Sequence, residues 1–147
     1  RAFDYYIRSF FFFFYSSAFC ILCSALAAIT GCSASHQTKE RLAKYSSVLF
    51  CTPLKMEQLK SKMQNLYKLR SKFTHGKGST ITKQDEIELR EYVRKFLLAY
   101  FFFWQEMNIK NEAQMLQKLD EIYADHRLYV KYVPASYEFI RLSEEHE

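Results

Sequence analysis

The chain has 147 residues, 49% of them hydrophobic and 18% aromatic, and a formal charge of +5. That length is one domain's worth of polypeptide with enough apolar surface for a normal core, and its supply of Phe and Tyr excludes a disordered chain. Three Gly and two Pro leave long uninterrupted elements, which favours helices. The predicted architecture is therefore all-α.

Residues 2 to 30 are the most apolar stretch, with Phe10 to Phe14 in succession and no Asp, Glu, Lys or Arg between Arg8 and Lys39. An uncharged span of about twenty residues is long enough to cross a bilayer as a helix. Ser9, Ser16, Ser17, Ser24 and Thr30 count against a span, and the amphipathic segments downstream need a central partner. A helix that is hydrophobic nearly all round also suits the middle of a bundle. A core helix is the favoured reading of residues 10–29, with a membrane anchor as the rival.

Cys20 and Cys23 have CxxC spacing, but within an apolar helix and with no second such pair. They read as small buried hydrophobes, and no structural metal is expected. His36 follows Cys32 by four residues in a Ser-rich loop, without a matching ligand pair. With neither a signal-peptide-like stretch nor a disulfide framework, a reducing cytoplasm is the expected compartment.

Ser33, Ser35 and Thr38 are candidate caps for a helix from Lys39 to Phe50, with Leu42, Tyr45, Val48 and Leu49 on one face. Thr52 as N-cap and Pro53 at the first helical position then start a helix running to about Phe73. In that helix Leu59, Met63, Leu66 and Phe73 follow the rhythm of one buried face, and Arg70 falls on the same stripe. Buried arginines are rare unless paired, so Arg70 either meets an internal carboxylate or opens onto a polar cleft. His75 follows it by five residues, and Gly76-Lys77-Gly78-Ser79 reads as a helix C-cap running into a turn. The pair can face one phosphodiester: a guanidinium grips non-bridging oxygens in bidentate fashion, and imidazole is suited to proton transfer.

Charge gathers around this pair. From Pro53 to Lys83 there are eight basic residues (Lys55, Lys60, Lys62, Lys68, Arg70, Lys72, Lys77, Lys83) against one acid, Glu57, so the segment carries +7 and the rest of the chain −2. Such a patch attracts polyanions, although a solvated lysine-rich helix face looks the same in sequence.

Thr82 with Asp85 gives a capping-box-like entry to the next helix, whose buried stripe is Leu89, Val93, Phe96, Leu97, Tyr100 and either Phe103 or Trp104. A break from Asn108 to Asn111 precedes a further helix with Met115, Leu116, Leu119, Ile122 and Tyr123 inward. Leu128 to Ile140, Tyr-rich and containing Pro134, reads as an extended arm packed on the bundle, and His126 and His146 read as surface residues.

The stretch Leu66-Tyr67-Lys68-Leu69-Arg70-Ser71-Lys72-Phe73-Thr74-His75-Gly76 resembles the signature of the HEPN superfamily, an arginine and a histidine separated by four to six residues. Its flanks are most similar to the Apea-like branch, which similarly has a polar loop and then a helix like Glu88 to Leu98. Ala25 to Thr30 and Lys39 to Lys44 resemble the family's first two helices, so the likeness covers about residues 18 to 100. One position departs from it: Ala27 stands where an acidic residue is expected, which raises the idea of a weakened or inactivated copy.

The resemblance implies a HEPN-like bundle of about five helices with the C-terminal arm, a single domain over residues 1–147. Arg1 rather than Met opens the sequence, and the family's domains look like C-terminal modules, so an N-terminal region of a longer protein is expected to precede it. It also implies a metal-independent, cofactor-free endoribonuclease, of a kind used in defence against phage, dimerising through its HEPN helices. Arg70 and His75 would be catalytic, and Ser71, Lys68, Lys72 and Lys77 would hold RNA. A noncatalytic RNA- or nucleotide-binding module, or a membrane-anchored subunit, are the other readings; a membrane partner is not the expectation.

Overall fold

The structure is a computed structural model that describes residues 1–31, 38–50, 53–78, 80–125 and 127–128. The described residues form six helices and no strand: α1 (Ala2–Ser9), α2 (Tyr15–Ile29), α3 (Thr38–Phe50), α4 (Pro53–Thr74), α5 (Lys83–Glu106) and α6 (Glu112–Ala124). The all-α expectation holds. The number exceeds five because the apolar N-terminal run is two helices with a turn between them.

A side chain far along the sequence holds that turn. Arg90 of α5 donates to Ser9 Oγ at 2.7 Å and to the Ser9 carbonyl at 3.2 Å, and Ser9 Oγ donates back to the Tyr6 carbonyl at 2.6 Å. α1 closes through Phe10 N–H to Ile7 O and Phe11 N–H to Arg8 O, the tight spacing common at helix ends. Phe14 is extended, and α2 begins after it. Residues 10–14 are consequently an exposed turn, which corrects the expectation of a core helix across residues 10–29.

α2 itself is the central helix. Ala18, Phe19, Leu22, Cys23, Ala25, Leu26 and Ile29 are all buried, on every side of it. Its 15 residues span about 22 Å, and no helix among the described residues is long and apolar enough to cross a membrane. Packing inside the bundle thus overturns the rival picture of residues 10–29 in lipid.

Around α2 the periodic faces fall largely as expected. Leu42, Tyr45 and Val48 of α3, Leu59, Met63 and Leu66 of α4, and Met115, Leu119 and Ile122 of α6 share one core. Leu116 and Tyr123 are half-buried against it. Lys44 ties α3 to α6, bonding Asp120 at 2.5 Å with its ammonium 4.8 Å from the Tyr123 ring centroid. From α5 the core takes Leu89, Val93, Phe96, Ala99 and Phe103, while Leu97, Tyr100 and Trp104 are half-buried at its edge. The expected caps at Ser33, Ser35 and Thr52, together with Cys32, His36, Cys51, His126, His146 and the arm beyond Leu128, lie outside the described residues; so do the side chains of Thr38 and Leu49.

The start of α5 is a complete capping box. Asp85 N–H donates to Thr82 Oγ1 at 3.2 Å, and Thr82 N–H donates to Asp85 Oδ2 at 2.8 Å. Thr82→Ala leaves the Asp85 N–H without its partner, and a loss of about 1 kcal/mol is expected in chemical denaturation.

Candidate functional site

α4 sets the geometry of the Arg70/His75 stretch. Leu59, Met63 and Leu66 lie along the core, but from Lys72 to Gly78 every residue is exposed, so the last turn of α4 projects past the bundle. Phe73 is therefore exposed, a correction to its place on the buried stripe. The helix stops as its sequence predicts. Lys77 N–H bonds Lys72 O at 2.9 Å and Gly76 N–H bonds Phe73 O at 3.2 Å, the paired closure of a Schellman motif, with Gly76 at φ +65°. His75 occupies the C-cap position and is exposed.

Arg70 sits one turn earlier, half-buried. Its Nη1 donates to the hydroxyl of Tyr67 at 3.2 Å, and its guanidinium carbon lies 5.4 Å from the Tyr67 ring centroid. No carboxylate among the described residues pairs with it, and its Nε is buried without a hydrogen-bond partner. The side chain leans toward α2. Burial pushes the thiols of Cys20 and Cys23 up, and the Arg70 charge, close enough to act on both, offsets this only in part. Both thiols stay neutral, which suits packing rather than metal or redox chemistry. Ala27 lies one turn beyond Cys23 on that side of α2, half-buried against the core. An acid there would face the region Arg70 enters; alanine leaves it without one.

The structure divides the expected site residues. Arg70 and His75 share the end of α4 but make no hydrogen bond with each other. Ser71 is half-buried, and its carbonyl accepts the His75 N–H at 3.1 Å. Lys68, Lys72 and Lys77 are exposed and form no ion pair with a described residue. Two other lysines of the basic segment are already engaged: Lys60 donates to the Tyr123 hydroxyl at 2.7 Å, and Lys62 pairs with Glu88. The free positive charge is thus concentrated at the C-terminal end of α4. Tyr67 is the residue that sequence reasoning missed as a partner of Arg70, and its i, i+3 spacing was the available signal.

No family model matches the chain, and no curated protein or solved structure is similar enough to it to be a match.

An arginine kept for structure should cost stability when removed, and Arg70 is arranged otherwise. Arg70→Leu removes a desolvated, unpaired Nε and restores an apolar residue to the core stripe. A gain of about 1 kcal/mol in denaturant melts is expected, and a loss of that size would mark the guanidinium as a structural group.

Proposed function

We propose that this chain is a HEPN-like domain that binds RNA at the C-terminal end of α4 and cleaves it without a metal ion. The observation that carries the reading is the half-buried Arg70 guanidinium, with which no carboxylate among the described residues pairs, and its orphan Nε. A desolvated cation of this kind is completed by an anion from outside, and a phosphodiester presents two oxygens at the spacing a guanidinium holds. Exposed Lys68, Lys72 and Lys77 supply sequence-independent attraction for the flanking phosphates, and the Ser71 hydroxyl is near enough along the helix to add a hydrogen bond.

In the proposed reaction the ribose 2′-oxygen attacks the adjacent phosphorus and the 5′-oxygen of the next nucleotide departs. The products are a 2′,3′-cyclic phosphate and a 5′-hydroxyl end. His75 takes the proton from the 2′-hydroxyl or delivers one to the leaving oxygen, while Arg70 offsets the extra charge on the phosphorane. Two copies joined so that both Arg/His pairs line one groove would give each active centre a wall that a single α4 lacks. The purified chain is expected to cut single RNAs in excess EDTA and to leave those two end groups; cleavage that stops on chelation would overturn the reading.

A second reading, RNA binding without cleavage, is favoured by two observations. Arg70 and His75 share no hydrogen bond within one chain, and Ala27 stands where the resemblance expects an acid. In that case RNA is retained on the protein intact.

A further inference from the structure

The turn between α1 and α2 presents five consecutive phenylalanines to solvent, Phe13 at 97% and Phe11 at 78% of their full exposure. They continue a stripe that begins on α1. Phe3 and Ile7 are exposed, and with Phe10 and Phe11 they follow i, i+4, i+7, i+8 spacing along one outward face. The opposite face of α1, with Ala2, Tyr5 and Tyr6, packs against the core and Ser9 is buried. α1 is therefore apolar on two sides, only one of which the bundle covers.

The turn is held in place by its base. Besides its bonds to Ser9, Arg90 lies with its guanidinium carbon 4.0 Å from the Phe10 ring centroid, and Glu86 accepts from Arg90 Nε at 2.7 Å. Tyr6 meets Phe10 edge to face at 5.3 Å between centroids. A buried ion pair thus fixes a segment whose tip touches nothing. Such an arrangement makes sense when the tip has somewhere to go.

We propose that this aromatic turn and the outer face of α1 dock on the surface of an anionic lipid bilayer, with the phenyl rings inserted at the level of the headgroups. Two features select lipid over a folded partner. The surface is an exposed turn of five phenyl side chains, without the precisely placed polar groups of a protein interface. Arg1 and Arg8 are seven residues apart, hence on one side of α1, and both are exposed beside the apolar stripe; Asp4, also exposed, lies between them, so that side offers a net +1 to anionic headgroups. A short amphipathic helix lying in the plane of the interface, with aromatic residues on the buried side, is an established way of holding a protein at a membrane without crossing it. The proposal is independent of the RNA reading, since it uses neither Arg70 nor His75.

The test is flotation of the full chain with vesicles of phosphatidylcholine, alone and with about 30% phosphatidylserine. The protein is expected to float with the anionic vesicles. Phe11→Ser combined with Phe13→Ser should lower partitioning about thirtyfold while leaving the circular dichroism spectrum and melting unchanged, because both rings are free of the core. Arg8→Glu should weaken binding to the anionic vesicles and leave the small residual binding to neutral ones as it was. A wild-type chain that stays with the unbound fraction, or a double variant that floats equally well, would overturn the proposal. It is overturned too if the double variant instead dissolves a dimer or abolishes RNA binding, because the occupant is then a second copy or a nucleic acid.

Discussion

Phe103→Ala is expected to destabilise the fold by about 3–5 kcal/mol, whereas Phe101→Ala, two residues earlier in the same aromatic run, should stay within about 0.5 kcal/mol of the parent. Phe103 has no solvent exposure and belongs to the one buried core cluster, so truncation removes a whole ring and leaves a cavity that close-packed neighbours refill only in part. Phe101 is 55% exposed, lies on the outer side of α5, and meets Phe102 edge to face with 6.0 Å between centroids. Against a total stability of about 5–15 kcal/mol, the first substitution would leave a marginal protein and the second an ordinary one. Urea melts of both variants at one temperature check this. Equal losses would mean that α5 is rotated about its axis relative to the description given above.

The same run shows where sequence is legible and where it is not. Leu89, Val93 and Phe96 announce their face by spacing because polar residues separate them; within Phe101-Phe102-Phe103-Trp104 every direction around the helix is aromatic, and spacing alone left Phe103 and Trp104 tied. Packing decides: Phe103 is buried and Trp104 half-buried. Local rules served well where the bonds are local. The Thr82 and Asp85 box and the Gly76 closure of α4 join residues within five positions of one another, and both formed as read. The N-terminal run failed for the opposite reason. Its helix ends at Ser9 with the help of Arg90, 81 residues away, and five phenylalanines in a row give no periodicity to warn of it. Phe73 failed in a third way, since a stripe predicts a face of the helix but not how far the helix runs past its neighbours. At the candidate site the out-of-place Arg70 was legible from the stripe, and no carboxylate among the described residues pairs with it. The chain folded alone shows no hydrogen bond between Arg70 and His75.

His75→Ala is the most informative variant for function. If the HEPN-like reading is right, cleavage in EDTA falls by about 10²–10⁴ while RNA binding changes little, because imidazole moves protons and the lysines and Arg70 hold phosphate. Arg70→Ala should lose both, since the same guanidinium binds the ground state and offsets charge on the phosphorane. His75 is exposed at the C-cap, and no side-chain hydrogen bond or ion pair holds it among the described residues, so its removal is not expected to shift the melting curve. A loss of activity is then a loss of chemistry rather than of fold. Mixing the two inactive variants carries the argument one step further. Subunits bearing Arg70→Ala and subunits bearing His75→Ala, unfolded and refolded together, form mixed dimers in which one intact arginine and one intact histidine come from different chains. Partial recovery of cleavage would place the reacting phosphate between two α4 ends. If the wild type binds RNA but never cuts it, neither variant has activity to lose, and Arg70 with the three free lysines is left as a binding surface and nothing more.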